Sequence, residues 1–316
     1  MKKDKNIRKR RTAVSQNTIV RDLRRNYSIY ILLIPIILFY LVFMYKPMYG
    51  LIITFKDYSP AKGILGSDWV GFRFFKDFFT NPYFWRLIKN TLTISINSII
   101  FSFPAPILLA LLMNELKGKV FPRTVQLIAY LPHFISTVVI CGLIEKFTSE
   151  NGFIVQMMSM LFGFEPTTLL NYPQYFVPTY IISGIWQGAG WGSIVYLAAL
   201  TGIDQSLYEA AAVDGAGRLR QTWHITLPGI LPTIITMLIL QLGKVMSVGY
   251  EKIILLYRPI TYETADVIST YSYRLGLLEG NWSFSTAVGL FNSVVNFILV
   301  IASNRLSKKV TGLGLW

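Results

Sequence analysis

The sequence predicts an all-α integral membrane protein with six transmembrane helices. Of its 316 residues, 53% are hydrophobic and only 15% are charged, and the mean hydropathy is +0.47. A soluble globular protein of this size would carry more charge. Apolar runs recur along the chain at about 20 residues each, the length that crosses a bilayer core.

Six apolar runs are long enough to be membrane spans. We place them at residues 28–45, 91–113, 124–145, 176–200, 229–250 and 283–303. The predicted organisation is therefore a basic arm (1–27), one transmembrane domain (28–303) and a short basic tail (304–316). The first run lacks a small-residue cleavage site, so it is predicted to be a retained helix and not a cleaved signal peptide.

The distribution of basic residues predicts the orientation. Ten of the 30 Lys and Arg residues lie in the first 27 positions, before the first apolar run. Basic segments next to spans mark the cytoplasmic side, which places both termini and the loop between the fourth and fifth spans in the cytoplasm. The stretch 46–90 is a partial exception, with seven basic and three acidic residues. Its amphipathic segment, 72–85, is predicted to lie at the outer interface.

Composition excludes several classes of function. The net charge of +14 does not indicate a nucleic-acid partner, because no folded basic domain with interleaved aromatic residues accompanies the basic arm. That arm is better explained as an anchor that faces anionic lipid. With one cysteine (Cys141) and two histidines (His133 and His224), neither a disulfide nor a Cys/His metal site is predicted. The chain also lacks a phosphate-binding Gly-x-x-x-x-Gly-Lys motif, so no cofactor site is predicted in it.

The most informative segment is the polar loop 204–228, which contains a helix followed by two glycines. Asp204 or Ser206 is suited to cap the first helix, and Gly215 and Gly217 are suited to end it. A second short helix is predicted from Arg218 to Ile225. Together these features predict a bent helical finger attached directly to the fifth span.

The loop also carries a spaced set of residues that resembles a known signature. The set comprises Glu209, Ala210, Ala211, Gly215, Ile225, Leu227 and Pro228. It resembles the cytoplasmic signature loop of binding-protein-dependent ABC importer permeases. Nearly the whole chain is similar to carbohydrate permeases of the maltose-type superfamily, and segments 251–271 and 306–316 resemble their polysaccharide and oligosaccharide branch.

This resemblance implies a mechanism and a set of partners. The loop would form a coupling helix that seats in a groove on a cytoplasmic ATPase subunit, with Glu209 and Asp214 offering carboxylates to basic groups there. It implies a bacterial plasma-membrane complex with a second, similar permease subunit, two ATPase subunits that hold ATP and Mg, and an extracellular solute-binding protein. The chain would be a transport subunit without catalytic residues of its own, and its substrate an oligosaccharide or polysaccharide. Segments 46–90, 152–175 and 251–282 would carry the docking surface for the binding protein.

Polar and indole side chains within the predicted spans are candidates for a substrate path, because an unpaired polar group in hydrocarbon is costly and faces protein or a water-filled cavity. The candidates are Asn97, Trp186, Gln187, Trp191, Gln241, Asn292 and Asn296. Amides bond to sugar hydroxyls, and indole rings pack on sugar C–H faces. The same residues are also typical of contacts between neighbouring helices and of interfacial belts, so both interpretations stay open.

Other residues have two interpretations as well. Glycines 184, 188, 190 and 192 indicate either close helix packing or an unwound stretch. Lys244 and Glu251 would share one helix face if the fifth helix reached that far.

Two rival functions remain. An ion-driven transporter would need buried carboxylates, which the span centres almost lack. A membrane enzyme acting on glycans or lipids could use Glu263 and Asp266, whose spacing is equally that of a solvated helical turn.

Overall fold

A computed structural model describes residues 21–22, 24–116, 118, 120–163 and 165–316. Most of the basic arm, together with Lys117 and Lys119, lies outside the described residues. The described chain is almost entirely helical and divides into two compact units, 1–70 and 71–316.

The first unit contains a long apolar helix followed by a small hairpin. Its elements are α1 (Tyr27–Phe39), a π-helical segment (Tyr40–Tyr45), α2 (Lys46–Met48), a 3-10 segment (Tyr49–Phe55), β1 (Lys56–Asp57), α3 (Gly63–Gly66) and β2 (Asp68–Trp69). The strands are antiparallel, with Lys56 opposite Trp69. No residue of α1 is buried. A helix that is apolar on all sides and unburied is suited to lipid or to the surface of another apolar protein.

The second unit is a bundle of helices joined by short 3-10 and π-helical segments. Its α-helices are α4 (Arg73–Phe79), α5 (Phe84–Asn97), α6 (Pro104–Asn114), α7 (Val120–Tyr130), α8 (Thr137–Thr148), α9 (Phe153–Phe162), α10 (Pro173–Leu200), α11 (Gln205–Val213), α12 (Arg218–Gln221), α13 (Leu227–Leu242), α14 (Tyr250–Leu256), α15 (Tyr262–Ala265), α16 (Ile268–Tyr273) and α17 (Trp282–Thr311). The joining segments are Ser98–Ser102, Leu131–Phe134, Leu169–Asn171, Thr222–Thr226, Pro259–Thr261 and Arg274–Leu278.

Helix α10 is the centre of the second unit and packs most extensively against α6, with further contacts to α7, α13 and α15. At one end of α10, Tyr196 and Leu200 pack with Ile107, Ala110 and Ile230 in an apolar cluster. Towards its other end, Phe176 belongs to a second cluster to which α5, α8 and α14 contribute. The two clusters fix the helices around α10 at both ends.

Within the described residues, four continuous helical segments are long and apolar enough to cross a membrane: Tyr27–Phe55, Phe84–Asn114, Arg218–Leu242 and Trp282–Thr311. A fifth candidate is a bent pair, Val120–Phe134 and Thr137–Phe162. Helix α10 is outside this set because Gly, Ser, Gln and Tyr residues lower its hydropathy. With 28 residues it is roughly 42 Å long, which exceeds the thickness of a bilayer core.

The helices differ from the predicted spans at three places. The third span is not one straight helix, because the chain bends by 99° between its two halves. Pro132 lies in the 3-10 segment before the bend, and Ser136, in an extended conformation, caps the next helix with its side chain. The fifth helix ends at Leu242, not near residue 250, and the second begins at Phe84, not at residue 91. The Lys244 and Glu251 pairing therefore fails, because no single helix carries both residues.

The last helix extends past the predicted span into the basic tail and ends at Thr311, where Gly312 adopts a left-handed conformation. The following residues fold back onto the helix. The Leu315 N–H donates to Asn304 Oδ1 at 2.7 Å, and Ser307 Oγ donates to the Leu313 carbonyl at 2.8 Å. The end of the chain is therefore held against the last turns of α17.

Candidate coupling loop and translocation path

The first helix of the loop forms as its sequence predicts. The Asp204 carboxylate accepts a hydrogen bond from the Ser206 N–H at 2.9 Å, which satisfies one of the unpaired donors at the start of α11. The same backbone bond is the main cause of a lowered pKa at Asp204, and the Ser206 hydroxyl contributes. At the other end, Gly215 has φ +74°. The Ala216 N–H donates to the Ala211 carbonyl at 2.8 Å, which closes the helix in a left-handed turn.

The second arm of the loop differs from the prediction. Instead of a separate short helix ending at Ile225, one helical run continues from Arg218 to Leu242 and includes the fifth span. A π-helical segment, Thr222–Thr226, directly precedes Pro228, which is in the first turn of α13. Proline has no backbone N–H to donate and its ring crowds the carbonyl group of the preceding turn. The wider π-helical turn tolerates both effects. The second arm of the loop and the fifth predicted span therefore form one continuous helical segment.

Contacts hold the loop to the helices beside it. The Tyr208 hydroxyl lies 3.0 Å from Thr226 Oγ1 and joins the two arms. Arg218 Nη1 forms a salt bridge with Glu115 Oε2 at 3.2 Å, next to the end of α6. Both members of this pair are about half exposed or more, so it contributes at most about 1 kcal/mol. Gln221 Nε2 donates to the Ala216 carbonyl at 2.9 Å across the bend.

The outer surface of the loop is available to a partner. Of the predicted coupling residues, Glu209, Ala210, Asp214, Gly215 and Pro228 are exposed, and Ala211, Ile225 and Leu227 are half-buried. The structure adds large apolar side chains that the sequence analysis missed: Leu207, Val213, Leu219 and Trp223, of which Val213 is 88% exposed. The position of these apolar residues within an otherwise polar loop was the sequence signal that could have identified them. Apolar groups exposed together with a carboxylate indicate a protein-binding surface.

The seven substrate-path candidates do not line one common surface. Asn97 Nδ2 donates to the Thr93 carbonyl on its own helix at 2.8 Å. Asn296 bonds the chain after α13, accepting from the Met246 N–H at 3.0 Å and donating to Ser247 Oγ at 2.8 Å. Asn292 is buried, and its Oδ1 lacks a hydrogen-bond partner among the described residues.

The three candidates on α10 also differ in their surroundings. Trp186 lines an apolar cavity of about 490 Å³ between α8, α9 and α10. Trp191 stacks on His133 with 4.6 Å between ring centroids, and Gln187 is half-buried. A contact of any of these residues with substrate stays a prediction.

Gln241 lines two adjoining cavities. The larger, of about 400 Å³, lies between α5–α6, α10 and α13. The smaller, of about 140 Å³, continues towards the residues after α13. Lys244 lines both cavities as well. A cavity of this size with a few polar groups is the usual form of a small-molecule site.

Glycines on α10 create room for the larger cavity. Gly184, Gly188 and Gly192 line it, and their spacing of four residues places them on one helix face. Gly190 lies on another face, where a Cβ would overlap the Ala129 carbonyl. Helix α10 is continuous through all four glycines, so the predicted alternative of an unwound stretch is wrong. Gly190 permits close packing against Ala129 and Gly192 permits the close approach of Pro106, whereas Gly184 and Gly188 leave space.

Near the first turn of α5, Asp266 is fully buried and belongs to a charged cluster. Its Oδ2 lies 2.8 Å from Arg274 Nη2 and 3.6 Å from Arg86 Nη2. Burial lowers the pKa of Arg274, but the bond and charge of Asp266 outweigh this effect and raise it above its ordinary value. The Asn90 amide donates to the Asp266 carbonyl at 3.0 Å. The cluster joins α5 to the segment before α17.

This geometry corrects the interpretation of Glu263 and Asp266 as a solvated turn. Glu263 is exposed, whereas Asp266 is buried and paired with two arginines. The two carboxylates therefore do not converge as a catalytic pair would require. Among the described residues, no group of three or more His, Cys, Asp or Glu side chains is arranged to hold a metal ion.

Comparison with known proteins identifies the family. The family described as "Binding-protein-dependent transport system inner membrane component" matches residues 102–312 of this chain. The chain belongs to this family. It is therefore a multi-pass component of the bacterial inner membrane. The matched region extends from within the helical segment Phe84–Asn114 to Gly312, directly after α17, and includes the whole loop 204–228.

Two curated relatives from Bacillus subtilis (strain 168) are similar over nearly their whole length. Protein LplB is 46% identical over 93% of this chain and 92% of its own length. The polygalacturonan/rhamnogalacturonan transport system permease protein YteP is 44% identical over 92% of this chain and 90% of its own. A solved bacterial ABC transporter involved in the import of the acidic polysaccharide alginate has a chain that is 46% identical. Its TM-score is 0.85, and the match covers 93% of this chain and 99% of that one.

Proposed function

We propose that this chain is one permease subunit of an ATP-driven importer of acidic oligosaccharides or polysaccharides. A solute-binding protein delivers the saccharide from outside, and separate ATPase subunits with bound ATP and Mg supply the energy. The observation that supports this proposal best is the exposed, two-armed loop whose second arm is continuous with the fifth span. Similarity over nearly the full length to transporters of polygalacturonan/rhamnogalacturonan and of the acidic polysaccharide alginate supports the substrate class.

The proposed topology has six spans with both termini in the cytoplasm. It counts α10 as the fourth span and the bent pair α7 to α9 as the third. The basic arm and the loop 204–228 then share the cytoplasmic side, in agreement with the charge distribution. A second, similar permease subunit completes the path, and the uncovered apolar surface of α1 is suited to contact either that subunit or lipid.

In the proposed mechanism, closure of the ATPase subunits moves the loop as a rigid element. Glu209 and Asp214 face basic groups on the ATPase surface, while Val213, Leu219 and Trp223 bury their exposed apolar surface there. The Tyr208–Thr226 contact connects α11 to the base of the fifth helix. Movement of α11 is therefore transmitted to α13, which carries Gln241 at the cavities.

Affinity purification tests this assignment. The tagged chain is isolated from its native membrane in mild detergent, and its companions are identified and counted by mass spectrometry. Recovery of an ATPase and a second permease is expected. Glu209→Lys should lose the ATPase but keep the second permease, whereas the control Glu263→Gln, at an exposed position outside the loop, should keep both. A chain that purifies without an ATPase in several detergents would contradict the proposal.

A further inference from the structure

The strongest unexplained feature is a buried ammonium group on α14. Lys252 is only 9% exposed, and its Nζ lacks a hydrogen-bond partner among the described residues. It lies over the ring of Tyr180, whose centroid is 5.3 Å from Nζ. A cation over an aromatic face recovers part of the lost hydration. An ammonium without a carboxylate or carbonyl partner remains costly to bury.

Lys252 lies next to the larger cavity. A Cβ built on Gly184 would lie 3.9 Å from Lys252 Nζ, and Gly184 itself lines that cavity. Because glycine has no side chain, little separates the amine from the cavity. Tyr180, the ring beneath the amine, lines the smaller cavity. The ammonium is therefore close to residues that line both spaces, although Lys252 is not itself among the residues that line them.

A second lysine lies at the same junction. Lys244 lines both cavities, and within the described ranges neither lysine forms a salt bridge. The sequence suggests a pairing of Lys244 with Glu251, but Glu251 is exposed on α14, and no salt bridge joins the two residues in the part of the chain that the structure describes. The two lysines, which have no salt-bridge partner among the described residues, and the amide of Gln241 form a positively charged polar site. Serines contribute to the lining of the smaller cavity, and mainly glycine and apolar residues line the larger one.

We propose that Lys244 and Lys252, with Gln241, form a subsite that binds a carboxylate of an acidic sugar residue during translocation. This inference rests on the proposed function. A carboxylate would supply the charge-assisted hydrogen bonds that Lys252 lacks, and Gln241 would bond the neighbouring hydroxyls. The glycine face of α10 would leave room for the sugar ring. Carboxylate binding here would favour acidic over neutral saccharides within the permease itself.

The test compares two probes that differ only in charge. The complete complex, with its binding protein, is purified from native membrane and reconstituted in liposomes. Initial rates of ATP-dependent uptake are measured for an oligogalacturonate or oligoalginate, whichever the wild type transports, and for its carboxyl-reduced form. Discrimination by the binding protein is the same for every variant, so a change in the ratio of acidic to neutral uptake reports on the permease.

Lys244→Met and Lys252→Met should each lower this ratio at least about tenfold, the size of one lost charge-assisted bond. Lys309→Met, an exposed site on the tail end of α17, should leave the ratio unchanged and controls for net charge. If Lys252→Met fails to assemble, Lys252→Arg, which keeps the charge, and Lys244→Met carry the test. An unchanged ratio in every lysine-to-methionine variant that assembles would overturn the subsite alone. If the wild type transports neither acidic probe, both the proposed substrate class and the subsite are wrong.

Discussion

The hydroxyl groups of Tyr208 and Thr226 lie 3.0 Å apart and connect the two arms of the loop. Tyr208 is on α11, the exposed first arm, and Thr226 is buried at the base of the helix that contains the fifth span. A force on α11 therefore reaches α13 through this bond as well as through the backbone at Gly215.

Removing this bond should weaken coupling. Tyr208→Phe is expected to lower the number of saccharide molecules transported per ATP hydrolysed, because one hydrogen bond of about 1 kcal/mol no longer joins the arms. The measurement is the ratio of uptake to phosphate release in liposomes. Thr226→Val should have a similar effect, and the double variant should be little worse than either single one. Additive losses would show that the two hydroxyls act independently.

The left-handed backbone at Gly215 should be essential for the shape of the loop. Gly215→Pro forces φ to about −65° where the structure has +74°. We expect uptake to fall to background while the chain still inserts into the membrane, as measured by transport and by membrane fractionation. Gly215→Asn should retain most activity because Asn tolerates this conformation. Gly217→Ala should be close to wild type, since φ is −68° there. Normal uptake by Gly215→Pro would exclude a rigid bend.

The cluster around Asp266 should determine the stability of the segment before α17. Asp266→Asn leaves Arg86 and Arg274 without their carboxylate, and breaking a buried pair costs roughly 3–5 kcal/mol. The thermal unfolding midpoint of the purified complex should fall by several degrees. Glu263→Gln, three residues away and exposed, is the matched control and should not change it. An unchanged midpoint for Asp266→Asn would show that the cluster does not contribute to stability.

The proposed carboxylate subsite should depend on pH. Burial lowers the pKa of Lys252 to about 8, so the ammonium is mostly charged at pH 7 and loses its charge as the pH rises through that value. Tyr180 and Cys141 are the titratable groups that face it from α10 and α8, and Glu251 is its neighbour on α14. A bound carboxylate raises the pKa of the lysine, which shifts the transition upward.

The ratio of acidic to neutral uptake should therefore fall between pH 7 and pH 9 in the wild type. In Lys252→Arg the ratio should stay constant, because arginine remains charged over this range. Uptake of both saccharides depends on the same ATP hydrolysis, so the ratio of the two uptake rates cancels the pH dependence of hydrolysis. A wild-type ratio that is constant to pH 9 would contradict a role for the Lys252 charge.

The sequence was sufficient to predict the first helix of the loop and the turn that ends it, because local rules determine both. Asp204 caps α11, and Gly215 adopts positive φ, as their residue types indicate. The all-helical class and the apolar spans follow equally from composition. These features depend on few neighbours, so tertiary packing does not override them.

The errors arose where packing determines the structure. The residues after Leu242 are apolar enough to continue the fifth helix, but the chain turns at Gly243, where a Cβ would overlap Val300 of α17. The cavity subsite was missed for a related reason. Lys244 and Lys252 are eight residues apart on different elements, and only the turn between α13 and α14 brings both to one site. Nothing in the sequence around Asp266 indicates that it is buried and paired with Arg86, which is 180 residues away, as well as with the nearby Arg274.

The most direct test of the account is ATP-dependent uptake of an acidic oligosaccharide into liposomes that contain the complete complex. The wild type should accumulate the saccharide only with ATP, Mg and the binding protein present, and without any ion gradient. The Glu209→Lys complex should not accumulate it. Accumulation driven by a proton or sodium gradient in the absence of ATP would contradict the account and support an ion-driven transporter.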